Sequence, residues 1–227
     1  MLTPNDLFDL AECEHAALFD GCEFAWDALK KIKQYIADNV KPELKNECLG
    51  SAWIGTEVFI GEGTVVEDGV MIKGPAIIGK NCEIRHGAYI RENVIIGDNC
   101  VVGNSCELKN SLLFNGCQVP HFNYVGDSIL GHKAHLGAGV ILSNLKVVEG
   151  NVVLKHDART IDTGLRKFGA MIGDHVDIGC NSVLNPGSVI GRDCMVYPCT
   201  NWRGILPAGR IVKNKAATEI VELQRRD

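Results

Sequence analysis

Arg91 and Lys109 are the first pair in this 227-residue chain whose spacing points to chemistry. Each directly follows an aliphatic residue, Ile90 and Leu108, and between those two the apolar residues Ile96 and Val102 fall six apart. A repeat of six that closes a turn after about 18 residues stacks the two cations on one corner, at the strand spacing of roughly 5 Å. Like charges at that distance repel by roughly 1 kcal/mol or more, so the corner calls for an anion or a nearby carboxylate. Glu107 and Tyr124 end successive rungs there, one coil apart, and would orient a phosphate-bearing ligand. A surface ladder of opposite charges is the alternative. His121 lies two residues into the Val119 rung and points outward, with Asn104 and Ala138 in the same slot of adjacent coils. An imidazole titrates near neutrality, so an outward His beside a phosphate corner can act as a general base. The other six histidines gain no weight from position alone, although His135 ends a rung at a neighbouring corner.

These neighbour relations depend on a repeat that runs most of the length of the chain. Rungs fall at Ile54, Ile60, Val66, Ile72, Ile78, Ile84, Ile90, Ile96, Val102 and Leu108, then at Leu113, Val119 and Val125. They continue at Leu130, Leu136 and Leu142, break, and return at Ile172, Ile178, Leu184, Ile190, Val196 and Trp202. Helices need apolar residues at three and four, and isolated strands at two, so a period of six predicts an all-β solenoid. Three rungs per coil give roughly seven coils, each burying its inward side chains on its neighbours. Cys82, Cys100, Cys106, Cys117 and Cys194 all sit four residues after a rung aliphatic, where other rungs carry Val58, Thr64, Ala76, Ala88, Ala134, Ser182 and Ser188. That slot wants a small inward residue, and a free thiol behaves as one. No CxxC pair occurs, so these cysteines read as core in a reduced, cytoplasmic protein and zinc ligation is not expected.

Residues 1–50 lie outside the repeat and read as a helical N-terminal cap over the first coil. Thr3-Pro4-Asn5-Asp6 forms a helix start, and Ala25, Leu29, Ile32 and Ile36 recur at helical spacing before Pro42. Residues 51–210 form the solenoid. It is interrupted by a loop over 143–171 that holds Asn144, Lys155, His156, Arg159, Arg166 and Lys167, and such a loop is usually functional. Residues 211–227 read as a tail with a final helix from Ala216 to Arg225. A net charge of −5 and a pI near 5.8 argue against a nucleic-acid or anionic-membrane binder. Neither a signal peptide nor a transmembrane run is visible.

The stretches Val102-Gly-Asn-Ser-Cys-Glu-Leu-Lys109, Pro120-His-Phe-Asn-Tyr-Val-Gly-Asp127 and Leu136-Gly-Ala-Gly-Val140, with Asn144, resemble the acetyltransferase half of bifunctional N-acetylglucosamine-1-phosphate uridyltransferase. The family's order and spacing are kept from Arg91 to Asn144. The resemblance covers about residues 50 to 210 and implies a left-handed parallel β-helix assembled as a homotrimer. It puts the catalytic base on His121 and the sugar-phosphate contacts on Arg91 and Lys109, with Glu107 and Tyr124 beside them. Asn144 matches a residue near the acetyl group, and Ala138 a backbone contact to the acyl-CoA arm. The run Asp162-Thr-Gly-Leu-Arg-Lys-Phe-Gly-Ala-Met-Ile-Gly-Asp174 resembles the longer loop of sugar-1-phosphate nucleotidyltransferase-like members, which makes Lys167 the loop lysine that reaches substrate. Family members commonly have Asn where His135 stands, Ser where Cys180 stands and a small residue where Pro198 stands. His135 thus bears on the acceptor sugar, and Cys180 and Pro198 on acyl-CoA.

The expectation is an acetyl-CoA-dependent N-acetyltransferase on an amino sugar phosphate, in sugar nucleotide biosynthesis. His121 and Glu107 are its catalytic residues. Arg91, Lys109, Tyr124, His135, Asn144 and Lys167 bind the acceptor, and Ala138, Cys180, Pro198 and Arg203 bind acetyl-CoA. No metal is expected. About fifty residues cannot hold the family's Rossmann-like nucleotidyltransferase domain, so that activity is not expected. The rival readings are a non-catalytic trimeric scaffold on the same fold, and a γ-class carbonic-anhydrase-like zinc enzyme. His132 and His135 could suggest the latter, but the rungs place no third ligand.

Overall fold

A computed structural model describes residues 2–214, so the expected helix over 216–225 lies outside the described residues. The chain winds as a left-handed parallel β-helix with three flat faces. Two faces have nine strands and the third has eight. The coils number about nine rather than seven, because Glu43–Leu44 and Glu47–Leu49 precede the repeat and Ile205–Leu206 and Ile211–Val212 follow it. Their rung residues Leu44, Cys48, Leu206 and Val212 are reached by steps of four, from Leu44 to Cys48 and from Trp202 to Leu206, which is why a period of six alone missed them.

Every rung from Ile60 to Val196 is buried in the bore. The small slot four residues on is buried as well, and it does more than fill space. Cys82, Cys100, Cys106, Cys117 and Cys194 each donate an Sγ–H to a carbonyl of the next coil, at 3.0–3.1 Å. Thr64 donates from the same slot to Gly79 O at 2.7 Å. Glycine after a rung aliphatic has a steric cause: a Cβ on Gly79 would sit 2.7 Å from the carbonyl group of Gly97 in the next coil.

The first face consists of Val58–Ile60, Ala76–Ile78, Val94–Ile96, Ser111–Leu113, Ile129–Leu130, Ala170–Ile172, Ser188–Ile190 and the two end strands. Its outward residues Ile77, Ile95, Leu112, Ile129, Met171 and Val189 are all buried. The N-terminal segment is what covers them. It does not cap the first coil as expected; it lies along this face as a strap. A capping box on Thr3 starts the helix Pro4–Leu7, short 3-10 turns follow, and the helix Ile32–Asn39 leads into the first coil. Asp9 N–H donates to Asp174 Oδ2 at 2.6 Å, Phe8 and Phe19 pack on Phe114, and Trp26 packs on Phe168.

Phe168 belongs to the interruption, which is also better built than a coreless loop. Val153–His156 pairs antiparallel with Arg159–Asp162, and Val152, Leu154 and Phe168 are buried. Strap and hairpin thus share a core, in which Trp26 fills the space that a bare solenoid would leave open. Among the described residues no helix is long and apolar enough to cross a membrane.

Candidate active site

The third face carries the cluster, on the strands Tyr89–Ile90, Glu107–Lys109, Tyr124–Gly126 and Ile141–Leu142. Register stacks Tyr124 over Glu107 and Glu107 over Tyr89, while Leu108 pairs with Ile90 and so sets Lys109 above Arg91. The rungs Leu108 and Val125 are buried, so their neighbours at both ends of each strand face out. The repulsion between the two cations is met by carboxylates. Arg91 Nη1 donates to Glu107 Oε1 at 2.9 Å, and Glu92 Oε1 lies 3.5 Å from Arg91 Nη2 and 3.8 Å from Lys109 Nζ. The hydrogen bond to Glu107 holds the Arg91 guanidinium further toward its charged form. Burial pushes the Glu92 carboxyl up, but its own backbone N–H, Arg91, Lys109 and Lys73 together leave it below the ordinary value.

Beside the cations runs a stacked column in which each residue stands two after a rung: Glu92, Asn110, Asp127 and Asn144. Asn110 Nδ2 donates to Asp127 Oδ1 at 2.8 Å, and Asn144 Nδ2 donates to Asp127 Oδ2 at 2.5 Å. Asn144 Nδ2 and the Tyr124 hydroxyl stand side by side over Gly126. Burial, followed by Glu107 and Asp127, raises the Tyr124 phenol above its ordinary value. Gly126 has to be glycine here, because a Cβ would lie 2.6 Å from the Tyr124 hydroxyl and 2.7 Å from Asn144 Nδ2. The hairpin returns to this corner: Leu145 bridges Lys167, and Phe168 N–H donates to Asn144 O at 2.9 Å. Lys167 is therefore brought beside Asn144.

His121 stands at the opposite edge of the same face, at the corner shared with the second face. It is exposed, pairs with Asn104 below, and its carbonyl accepts from Gly139 N–H above at 2.9 Å. The turn is locked by Asn123, which occupies the small inward slot. Its Oδ1 accepts from His121 N–H at 3.1 Å and its Nδ2 donates to Gly137 O at 2.8 Å. Phe122, between them, is held at φ 52° and projects into solvent, an unusual conformation for a bulky residue.

Ala138, Cys180 and Pro198 continue the His121 edge, one coil after another. Cys180 and Pro198 line a groove of about 420 Å³ with His135, Asp177, Met195 and Tyr197. His135 Nδ1 lies 3.2 Å from Asp177 Oδ1 on that second face, so it faces the groove and not the Arg91 corner. Arg203 is set apart from this groove. It follows Trp202 on the third face and lines hollows formed by the hairpin with Ser143, Asn185 and Lys155. Glu107 is engaged with Arg91 rather than with His121. A cavity of about 570 Å³ lies between the strap and the first face, lined by His15, Tyr35, Phe59, Ile77 and Ile96. Glu92, Asn110, Asp127, Asn123 and Asp177 escaped the sequence reading. Polar residues in the small slot, or recurring two after a rung, were the available signal.

A family model described as the GMPPB C-terminal domain matches residues 72–165. The bifunctional sugar-1-phosphate nucleotidylyltransferase/acetyltransferase of Sulfurisphaera tokodaii is 39% identical over 90 residues, which is 40% of this chain and 22% of that protein. The bifunctional protein GlmU of Methanocaldococcus jannaschii is 34% identical over 171 residues, covering 75% of this chain and 41% of its own length. The chain spans less than half the length of these curated relatives. A solved Arabidopsis UDP-N-acetylglucosamine acyltransferase overlays 69% of this chain and 63% of its own at a TM-score of 0.40 and 13% identity. The chain is thus similar, over the shares given, to bifunctional sugar-1-phosphate nucleotidyltransferase/acetyltransferases, and residues 72–165, which the family model matches, hold both the His121 and the Arg91 corners.

Proposed function

We propose that the protein is an acetyl-CoA-dependent N-acetyltransferase whose acceptor is an amino sugar phosphate resembling glucosamine 1-phosphate, and that it works as a homotrimer. The observation that carries this is one open face with two cations and a phenol at one side and an unburied imidazole at the other. The phosphate meets Arg91 and Lys109, with Tyr124, Asn144 and Lys167 around the sugar. The acyl-CoA arm runs along Ala138, Cys180 and Pro198, past His135. Fixing both substrates in this way makes the reaction effectively intramolecular.

His121 takes the proton from the amine as nitrogen attacks the thioester carbonyl. The N–C bond forms, the C–S bond breaks, and the imidazolium returns a proton to the departing thiolate. Gly137 N–H is bonded to Ile178 O and Gly139 N–H to His121 O, which leaves the Ala138 N–H of this turn to hold the developing oxyanion. Glu107 orients Arg91.

The ion pairs of Arg91 with Glu107 and Glu92 favour a second reading, a non-catalytic scaffold whose corner is a charge ladder complete in itself. Mass-spectrometric detection of N-acetylated product from acetyl-CoA and glucosamine 1-phosphate separates the two. Binding of acetyl-CoA without transfer to any amino sugar phosphate would leave the scaffold reading standing.

A further inference from the structure

From the stacked column we infer that Asp127 is a positioning residue that fixes the hydrogen-bond polarity of the acceptor site, making Tyr124 a donor and Asn144 Oδ1 an acceptor toward the ligand. This rests on the acceptor-site reading above and goes a step past it, because it states which complementary groups the ligand must carry.

A carboxylate only accepts hydrogen bonds. Asp127 is buried and its two oxygens are both taken, Oδ1 by Asn110 Nδ2 at 2.8 Å and Oδ2 by Asn144 Nδ2 at 2.5 Å. The second bond removes the freedom of the Asn144 amide to flip, since its carbonyl oxygen facing Asp127 would set two acceptors against each other. With Nδ2 pinned on that side, the remaining Nδ2 proton is directed over Gly126, where the Tyr124 hydroxyl stands. Nδ2 then donates to the phenol oxygen, and the phenol proton must turn outward. Asn144 Oδ1 is left as the free acceptor. The backbone holds the column rigidly: Asp127 N–H donates to Lys109 O at 2.9 Å, and Gly169 N–H donates to Asp127 O at 2.8 Å.

The consequence is a corner of defined polarity. Arg91, Lys109 and the Tyr124 O–H offer positive charge and a donor to an anionic oxygen, while Asn144 Oδ1 accepts from a hydroxyl or amine close by. The ligand class is a phosphate monoester whose next carbons bear a free hydroxyl or amino group. A bare acyl phosphate or a phosphate without adjacent donors satisfies only half of this corner.

Two variants test the assignment, Asp127→Asn alone and Asp127→Asn combined with Asn144→Asp. The pair restores a hydrogen bond between positions 127 and 144 with its direction reversed, so Tyr124 would have to donate inward. Thermal melts, steady-state kinetics and side-chain amide NMR of Asn144 are measured together. The expected result for Asp127→Asn is a KM for glucosamine 1-phosphate raised at least tenfold, with the KM for acetyl-CoA unchanged and the shifted, slowly exchanging Asn144 amide pair lost. The double variant should regain melting temperature without regaining acceptor KM. An unchanged acceptor KM in the single variant, or full recovery in the double one, would overturn the assignment. The amide signals need no substrate. If the wild-type chain transfers nothing, the functional reading fails while the NMR comparison still decides the role of Asp127: an Asn144 amide insensitive to Asp127→Asn refutes it.

Discussion

Glu92 is the most informative residue to change, because the two readings of the Arg91 corner assign it opposite roles. Its Oε1 lies 3.8 Å from Lys109 Nζ and 3.5 Å from Arg91 Nη2, so that with Glu107 on Arg91 the two cations face two carboxylates. A phosphate dianion bonded to Lys109 would have its phosphorus about 6 Å from that carboxylate, and the Coulomb repulsion of charges −2 and −1 there is about 1.4 kcal/mol in water and about 3 kcal/mol at an effective dielectric of 40. With a Debye length of about 8 Å at physiological salt, roughly half of this survives. Glu92→Gln removes the repulsion and keeps the shape, so it should tighten glucosamine 1-phosphate by about 1 kcal/mol, or roughly fivefold in Kd. Lys109→Ala should act the other way and weaken it by roughly 2–3 kcal/mol, the scale of a lost charge-assisted bond. Isothermal titration at two salt concentrations measures both, and the gain from Glu92→Gln should shrink as salt rises. Acetyl-CoA titrations should move with neither variant. If phosphate affinity is indifferent to both substitutions, the corner is a structural ladder and the phosphate site lies elsewhere.

His121→Ala should lower turnover by about 100-fold or more while leaving the melting temperature nearly unchanged, since the ring is exposed; comparable turnover would remove it as the base. Trp26→Ala should cost about 3–5 kcal/mol and speed hydrogen exchange in the 143–171 hairpin, because Trp26 joins strap to Phe168. Exchange that stays slow there would show that the hairpin holds itself. The Tyr124 phenol is raised above 10.0 by burial and by Glu107 and Asp127, so it remains a donor at neutral pH. The fold should therefore lose stability as pH climbs past that value, and Tyr124→Phe should flatten the loss in alkaline melts.

The period of six decided a great deal. A side chain that follows a rung aliphatic must stand over its counterpart one coil earlier, so Lys109 over Arg91, Tyr124 over Glu107 and Ala138 above His121 were legible before any coordinates. The small-slot cysteines were legible for the same reason: a bore of fixed width admits only small residues at that place. The strap was not, although its signature is present. Phe59, Ile77, Ile95, Leu112, Ile129, Met171 and Val189 each precede a rung of one face only, and seven outward apolar residues on a single face require a cover. What covers them depends on contacts as distant in sequence as Asp9 with Asp174, which no local period encodes. The electrostatics of the corner were also a tertiary matter. Register shows that two cations stack, but only side-chain geometry shows that Glu92 and Glu107 already meet them and that Asp127 holds the Asn144 amide. Backbone periodicity fixes which residues are neighbours; rotamers and long-range docking fix what those neighbours do to one another.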